Sequence, residues 1–263
     1  MPYEFIKVEK EDHLTIMTIN RPERMNAIHP PAQLEMNTAW DDFANDPDAW
    51  VAIITGAGDK AFSAGNDLKF QAEHGAKEVR KIRARAKGGF GGLHRRLDCF
   101  KPIIAAVNGF ALGGGFELAL SCDIIIAAEN ARFGLPEPRV GLIAGAGGVH
   151  RLPRQIPYHR AMGIMLANRQ LGADEAYNMG LVSEVVPQEA LMDAARSWAA
   201  DILEASPLSI QATKEAALLG LDMPLGHALD ASFPLAARLY ASEDFVEGPR
   251  AFAEKRKPHW KGE

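Results

Sequence analysis

A glycine triplet between two short apolar runs constrains the fold more than any other part of this sequence. The runs, Pro102–Val107 and Asp123–Ala128, are rich in Ile and Val and too short for helices. They therefore predict buried strands. Gly113, Gly114 and Gly115 open a helix-like stretch, FELALS. Because glycine exposes its backbone and a helix N-terminus presents unpaired N–H groups, the triplet predicts a site for a developing negative charge.

Two glutamates flank this predicted anion site. Glu117 lies in the helix-like stretch among apolar neighbours, where an unpaired carboxylate is costly to bury. Glu137 stands between two prolines that restrict its backbone. Two carboxylates near one anion site suit general acid–base chemistry beside a carbonyl group. The alternative is that Glu117 is a charge favoured by the helix dipole and Glu137 is a solvated turn residue.

The composition is that of an ordinary globular protein. Of the 263 residues, 47% are hydrophobic and 24% are charged, which allows one large domain or a domain with an appendage. The net charge of −5 argues against a dedicated nucleic-acid surface. The basic run at residues 77–87 predicts a solvated helix face, with phosphate contact as the lesser alternative. Cys99 and Cys122 have no neighbours at metal-ligand spacing, so we expect buried thiols and no metal site.

The N-terminus and the hydropathy predict a cytoplasmic protein without membrane association. Residues 1–13 are charged and lack the apolar core of a secretory signal. No stretch approaches the length of a membrane span.

Predicted strands are concentrated in the first half of the chain, and helices dominate the last quarter. Further strands are predicted at residues 3–12, 13–20, 50–55 and 181–187. Helices are predicted at residues 30–43, 69–87, 93–100, 160–166, 173–179, 188–203 and 207–219, with helical spacing from residue 225 onward. An apolar helical tail on an α/β core often docks on the core or on another subunit.

Three glycine-containing segments are candidate binding elements. Gly56-x-Gly58 follows a strand but no helix follows it, so we reject a dinucleotide site. The turn at residues 64–67 is predicted to aim a backbone N–H group into a pocket. The run Gly88–Gly92 predicts either a mobile loop beside a binding site or a hinge between helices.

Five stretches occur in an order that is typical of one family. They are Arg21-Pro22-x-x-x-Asn26-Ala27, VAIITGAGDKAFSAGNDL, KPIIAAVNGFALGGGFELALSCDIIIAAENARFGLPE, GLIAGAGGVHRLPR and EGPRAFAEKRKPHW. Through them the chain resembles the enoyl-CoA hydratase/isomerase (crotonase) superfamily over almost its whole length. The resemblance implies an α/β fold, with a spiral of ββα repeats at residues 1–195 and a helical region at 196–263 used in trimerisation. It also implies a homotrimer or a dimer of trimers.

The resemblance implies an enzyme that acts on acyl-CoA thioesters. In the family, two backbone N–H groups form an oxyanion hole for the thioester enolate, and Asn66 and Gly114 occupy the matching positions. By the same analogy Glu117 activates the water that adds at Cβ, and Glu137 transfers the proton at Cα. The expected reaction is reversible syn hydration of a 2-enoyl-CoA to a 3-hydroxyacyl-CoA. No cofactor is expected, because coenzyme A is part of the substrate.

Residues that bind the substrate or coenzyme A are also implied by the resemblance. Phe252 and Lys255 match tail residues that reach coenzyme A on a neighbouring subunit, although surface solvation is the alternative for the charged positions. Asn66 stands where Ala or Ser is frequent, and Arg139 is expected to face solvent. The full set is Arg24, Ala64, Asp67, Leu68, Gly141, Phe252 and Lys255.

Other activities remain open at this level. Some segments resemble carnitinyl-CoA dehydratase-type members, which favours a dehydratase or racemase of a polar or branched hydroxyacyl-CoA. A Δ3-Δ2 enoyl-CoA isomerase and an inactive acyl-CoA-binding trimer are further alternatives, because a fold does not fix function. The inactive trimer leaves the pair of glutamates unexplained. Residues 69–100 are expected to build the acyl pocket, but the sequence does not predict their side-chain orientations, so acyl length and polarity stay open.

Overall fold

A computed structural model describes residues 3–263 of the chain. Its strands form a six-stranded sheet in the order β1-β2-β3-β5-β7-β10 and a four-stranded sheet in the order β4-β6-β8-β9. The strands are β1 (Ile6–Glu11), β2 (Leu14–Ile19), β3 (Val51–Gly56), β4 (Ala61–Ser63), β5 (Ile103–Val107), β6 (Phe110–Leu112), β7 (Ile124–Ala128), β8 (Arg132–Gly134), β9 (Leu171–Gly172) and β10 (Glu184–Val186).

Helices follow the strands along the whole chain and form the C-terminal part alone. They are α1 (Pro30–Asn45), α2 (Leu68–His74), α3 (Ala76–Arg83), α4 (Gly114–Ala119), α5 (Gly148–Gln155), α6 (Tyr158–Ala167), α7 (Ala173–Asn178), α8 (Leu191–Leu203), α9 (Pro207–Gly220), α10 (Leu225–Asp230), α11 (Pro234–Tyr240) and α12 (Glu243–Ala253). The predicted mixed α/β class with a helical C-terminal region is confirmed.

The two sheets are built from repeating units. In three successive pairs, β3/β4, β5/β6 and β7/β8, the first strand joins the large sheet, the second joins the small sheet, and helices follow. The pairs β2–β3, β3–β5, β5–β7 and β7–β10 are parallel, whereas β1–β2 is antiparallel. Each crossover between parallel strands needs a long connection, and the helices supply it. The predicted ββα repeats are therefore present.

Continuous apolar runs form the central strands because both faces of the large sheet are covered. All five residues of β5 are buried, which is typical of a parallel strand enclosed on both sides. One face packs on a core that contains the fully buried aromatic rings of Trp40, Phe43 and Phe116. The other face packs on α8 through Leu191 and its neighbours. The helix α4 lies beside the small sheet, where it contacts β4 and β6.

Of the two helices predicted in the region 69–100, the first is interrupted and the second is wrong. Residues 69–83 are helical but divide into α2 and α3, because Gly75 between them has a φ of +78°, which is outside the helical range, and residues 84–87 form turns. Residues 93–100 form turns instead of a helix. Leu93 is buried in the core and Arg96 pairs with Asp41 on α1 at 2.6 Å, so tertiary contacts decide the path of this segment. The predicted strand at 181–187 shortens to β10, and residues 188–190 form a 3-10 turn before α8.

Three other local features agree with the predictions from the sequence. After Gly56 the chain continues into the short strand β4 without an intervening helix, which agrees with rejecting a dinucleotide site. Cys99 and Cys122 are free and buried. Arg139 is exposed. Within residues 3–263, no helix is long and apolar enough to cross a membrane.

Candidate active site

A cavity of about 750 Å³ brings together residues that lie far apart in the sequence. Asn66, Gly114, Glu117 and Glu137 all line it. The remaining walls come from α1, α2, α3, the glycine-rich segment after α3 and the segment before α5. These residues are Gln33, Gln71, Arg80, Arg83, Ala84, Ala86, Lys87, Gly89, Phe90, His94, Arg95, Leu142, Ile143, Gly145 and Ala146.

The turn that contains Asn66 lies directly against the start of α4. Gly65 has a φ of +82°, and a Cβ atom at this position would lie 2.6 Å from the Gly114 backbone nitrogen. Such a contact is impossible for any side chain, so glycine is required for the two segments to approach. The close approach places the backbone of Asn66 and the backbone of Gly114 at one wall of the cavity.

The backbone N–H groups of Asn66 and Gly114 are both left without an acceptor inside residues 3–263. The N–H groups of the preceding residues do form hydrogen bonds: Gly113 N–H donates to the Gly134 carbonyl at 2.8 Å, and Gly65 N–H donates to Ser63 Oγ at 3.1 Å. Gly114 is also the first residue of α4, where an N–H group has no partner within the helix. Two backbone donors are therefore available to a ligand in the same cavity.

The side chain of Asn66 is occupied by the neighbouring helices. Its Nδ2 donates to Gln71 Oε1 at 3.0 Å, and its Oδ1 accepts a hydrogen bond from Arg83 Nη2. The amide group is thus held by α2 and α3 while the backbone N–H stays free. The unusual Asn at this position is compatible with a backbone donor.

Glu117 is a buried carboxyl group, 3% exposed, on α4. Its Oε1 accepts a hydrogen bond from the Gly148 N–H group at the start of α5, at 2.8 Å. The pKa of Glu117 is raised from 4.5 to about 7. Burial is the largest cause and the charge of Glu137 adds to it, whereas the Gly148 N–H and the Arg151 guanidinium act to lower the pKa. The position is buried and paired, so it is not the solvated helix-end charge of the alternative interpretation.

Glu137 approaches the start of α4 from the other side. A Cβ atom at Gly113, whose φ is +54°, would lie 2.9 Å from Glu137 Oε1, so glycine makes room for this carboxylate. Its Oε2 is buried and has no hydrogen-bond partner within the described part of the chain. Burial raises the pKa of Glu137. This carboxyl group is not a solvated turn residue, and it has one oxygen free to exchange a proton.

Arg83 and Gln33 line the cavity, but neither is among the site residues predicted from the sequence. Arg83 is half-buried at the end of α3, and its Nε has no acceptor among residues 3–263. Gln33 is 2% exposed on α1, and its Oε1 has no donor there. A signal for Arg83 existed, because it lies four residues after Val79, which is 3% exposed, and so shares the buried face of the helix. Nothing in the sequence distinguishes Gln33 from the other polar residues of α1.

The residues predicted to bind substrate or coenzyme A are not among those that line this cavity. Asp67 forms an ion pair with Arg21 at 3.0 Å and accepts a hydrogen bond from the Phe70 N–H group as the N-cap of α2. Phe252 is 88% exposed near the end of α12. In the described chain, none of the predicted set lines the cavity. Its exposed members are Arg24, Leu68, Gly141, Phe252 and Lys255, and Ala64 is partly exposed.

Within residues 3–263, no three His, Cys, Asp or Glu side chains are grouped so that they could hold a metal ion. The cavity lining offers a ligand backbone donors, carboxyl groups and guanidinium groups.

Comparisons with known proteins agree with this architecture. The sequence model of the enoyl-CoA hydratase/isomerase family matches residues 9–263. The chain is 43% identical over 257 residues to (E)-benzylidenesuccinyl-CoA hydratase of Thauera aromatica, covering 98% of this chain and 99% of that protein. It is 44% identical over 250 residues to carnitinyl-CoA dehydratase of Citrobacter koseri, covering 94% of each.

A solved structure extends the agreement to three dimensions. The crystal structure of enoyl-CoA hydratase from Mycobacterium tuberculosis H37Rv superposes with a TM-score of 0.91 at 37% identity, and 100% of both chains is covered. The chain belongs to the enoyl-CoA hydratase/isomerase family. The resemblance stated from the sequence motifs is confirmed.

Proposed function

We propose that this protein catalyses the reversible syn hydration of a 2-enoyl-CoA to a 3-hydroxyacyl-CoA. The observation that carries the proposal is that two unpaired backbone N–H groups, the buried carboxyl group of Glu117 and the half-buried carboxyl group of Glu137 line one cavity. Relatives named as a hydratase and a dehydratase of CoA esters support the same class of reaction. The proposed enzyme is a lyase that uses neither a metal nor a redox cofactor.

The thioester carbonyl oxygen would accept hydrogen bonds from the N–H groups of Asn66 and Gly114. These donors lie on backbone that is fixed by the contact between Gly65 and the start of α4. Preorganised donors act on charge as it develops, and one such donor commonly contributes roughly 3–4 kcal/mol of transition-state stabilisation. They would therefore stabilise the enolate that forms when water adds to the conjugated double bond.

The two glutamates would divide the proton transfers. Glu117 removes a proton from water, the water oxygen bonds to Cβ, and the electron pair of the double bond moves toward the thioester as an enolate. Glu137 then donates a proton to Cα, and the enolate electron pair forms the new C–H bond. Glu117 ends with one proton more and Glu137 with one fewer, so exchange with solvent resets the site. The pKa of about 7 suits Glu117 to proton transfer near neutral pH, and burial raises the pKa of Glu137 in the same direction.

Variants at both glutamates test these roles. With crotonyl-CoA, loss of the conjugated thioester absorbance measures hydration. We expect Glu117→Gln and Glu137→Gln each to lower kcat by roughly 10²–10⁴-fold, the range for a general acid or base. The matched control is Glu129→Gln, an exposed glutamate on the surface, which should keep wild-type turnover. Wild-type turnover by Glu137→Gln would refute the assigned roles.

The binding of coenzyme A and the assembly belong to the same proposal. Arg24, Ala64, Asp67, Leu68 and Gly141 are proposed contacts to the substrate of their own subunit. Phe252 and Lys255, both exposed, are proposed to reach the coenzyme A of a neighbouring subunit in a homotrimer or a dimer of trimers. Exposure of these two side chains supports such a role.

A second candidate is dehydration or racemisation of a polar or branched hydroxyacyl-CoA. The 44% identity to a carnitinyl-CoA dehydratase favours it, as do the polar side chains of Gln33, Gln71 and His94 on the cavity wall. A panel of enoyl-CoA and hydroxyacyl-CoA substrates, with products separated by chromatography, distinguishes this activity from simple hydration and from Δ3-Δ2 isomerisation. Thioester binding without any turnover would favour an inactive binding trimer instead.

A further inference from the structure

Arg83 stands next to the two backbone donors of the cavity. Its Nη2 donates to the side chain of Asn66, and its guanidinium carbon lies 5.6 Å from the centre of the Phe90 ring. That ring packs against the start of α4, because a Cβ atom at Gly114 would lie 2.5 Å from Phe90 Cε1. The guanidinium group therefore contacts one residue of the proposed oxyanion hole and the ring that covers the other.

Arg83 forms no ion pair within the part of the chain that the structure describes. Two other shielded arginines are paired, Arg21 with Asp67 at 3.0 Å and Arg96 with Asp41 at 2.6 Å. Among residues 3–263, no carboxylate pairs with Arg83, and its buried Nε has no acceptor. Burial alone lowers the pKa of this guanidinium, and no neighbouring anion opposes the shift. Burying a charge without a partner is costly, so this position is suited to an anionic ligand.

A carboxylate fits the free part of this guanidinium. Its planar N–H groups match the two oxygens of a carboxylate, and such charge-assisted hydrogen bonds are stronger than neutral ones. Gln33, on the same cavity wall, adds a buried amide without a donor to its oxygen. A primary amide can turn to offer either its oxygen or its nitrogen, so this group can also serve a polar acyl substituent.

The other cationic residues of the cavity lie in a different environment. Arg80, Lys87 and Arg95 line the cavity but are exposed, so they form a basic rim in contact with solvent. A basic rim attracts any polyanion, including the phosphates of coenzyme A. Arg83 differs because it is half-buried and hydrogen-bonded to Asn66. The rim suits the phosphates, which remain near solvent, and Arg83 suits a group on the acyl portion.

We infer that the acyl group of the substrate carries a carboxylate, which Arg83 binds beside the oxyanion hole. The inference rests on the proposed function, because it assigns the acyl portion of a CoA thioester to this cavity. The substrate class is then the CoA monothioester of an unsaturated dicarboxylic acid. Arg83 is the specificity-determining residue, and Glu117 and Glu137 carry out the chemistry.

Binding of saturated thioesters tests the inference without turnover. Isothermal titration calorimetry would compare glutaryl-CoA with valeryl-CoA, which has the same acyl length and no carboxylate. We expect the wild type to bind glutaryl-CoA at least about tenfold more tightly, and Arg83→Met to lose that preference. Arg83→Lys keeps the charge and should retain part of it. Arg85→Met is the matched control, because Arg85 is exposed, near Arg83 in sequence and outside the cavity lining of the described chain.

Turnover separates this inference from the proposed function. Glutaconyl-CoA carries a terminal carboxylate and crotonyl-CoA does not. Arg83→Met should lower the ratio of kcat/KM for glutaconyl-CoA over crotonyl-CoA by roughly 10²-fold. Equal losses for both substrates would overturn the inference, because Arg83 would then only support Asn66 or bind coenzyme A. Equal affinities of the wild type for the two saturated thioesters would also overturn it.

These measurements distinguish a failure of the proposed hydratase function from a failure of the carboxylate-binding inference. Preferential binding of glutaryl-CoA that depends on Arg83, together with no hydration of either unsaturated thioester, would refute the hydratase function and leave the carboxylate site intact. Hydration of crotonyl-CoA that depends on both glutamates, without any preference for carboxylated thioesters, would refute the carboxylate site alone.

Discussion

Glu117 combines a cost in stability with its proposed catalytic role. The side chain is 3% exposed, and burial raises its pKa to about 7. One hydrogen bond from Gly148 N–H only partly offsets the loss of water around the charged form. The carboxyl group is therefore divided between its two protonation states near neutral pH. This is the condition in which a general acid–base group is most effective.

The same pKa predicts a pH-dependent stability. The folded-state pKa of about 7 lies above the unfolded value of 4.5, so between these values the folded chain binds a proton that the unfolded chain has released. The contribution is complete below pH 4.5 and is lost as the pH rises through 7. Burial of Glu137 acts in the same direction. Relative to Glu117→Gln, the wild type should lose about 3 kcal/mol of unfolding free energy between pH 4.5 and pH 8.

Urea unfolding of both proteins across this range measures the effect. Gln at position 117 can still accept the Gly148 N–H hydrogen bond, so the comparison isolates the ionisation. A difference in unfolding free energy that does not change with pH would contradict the raised pKa.

At the scale of elements, the approach of the Asn66 turn to α4 builds the proposed oxyanion hole. Neither segment forms it alone, because each supplies one free N–H group. The contact depends on Gly65, which has a φ of +82° and lies against the Gly114 nitrogen and the Leu112 carbonyl oxygen. A methyl group there would separate the two segments, since backbone atoms cannot move aside as a flexible side chain can.

We therefore expect Gly65→Ala to damage both stability and activity. The left-handed φ costs at least about 1 kcal/mol in a non-glycine residue, and the clash adds to it. Displacement of one backbone donor should lower kcat by roughly 10²–10³-fold. Urea unfolding and the crotonyl-CoA assay measure the two effects.

The matched control is Gly163→Ala on α6, where a Cβ atom would meet nothing within 4 Å. Alanine in a helix interior should raise stability by about 0.5–1 kcal/mol and leave kcat unchanged. If Gly65→Ala behaved like this control, the contact between the turn and α4 would not hold the site together.

At the scale of the whole molecule, the sequence predicts those features that depend on neighbouring residues in the chain. The apolar runs of β5 and β7 are continuous because both sheet faces are covered, and the glycine triplet marks the start of α4 because only glycine permits these approaches. Both glutamates can also be found from their neighbours in the sequence, since a carboxylate among apolar residues or between prolines is unusual.

The features that the sequence does not predict depend on contacts between distant segments of the chain. The sequence predicts helices at residues 69–87 and 93–100, but Gly75 and contacts with α1 break and redirect this region. The sequence also predicts a solvated face for the helix that contains Arg83, because the absence of an ion pair appears only after folding. The division at residue 195 into a core and a helical region stays a prediction, as does the cytoplasmic location.

The C-terminal helices expose apolar side chains that a monomer would leave in water. Leu221, Leu225, Leu229 and Phe252 are 84%, 75%, 77% and 88% exposed, on or between α9 and α12. Single exposed apolar residues are normal, but large contiguous apolar patches mark interfaces. The distribution supports the predicted trimer, in which this part of the chain would be covered by neighbouring subunits.

Light scattering coupled to size exclusion tests this assembly. We expect a mass near three or six times the 28.6 kDa of the chain. Leu225→Asp combined with Leu229→Asp should shift the protein toward the monomer, because burying two carboxylates in an apolar interface costs several kcal/mol each. Leu97→Asp, at a side chain that is 57% exposed outside the C-terminal helices, should leave the mass unchanged.

If the subunits share coenzyme A sites, the dissociated variant should also show a raised KM for crotonyl-CoA. A wild-type protein that elutes as a monomer at micromolar concentration would refute the trimer and the proposed roles of Phe252 and Lys255 together.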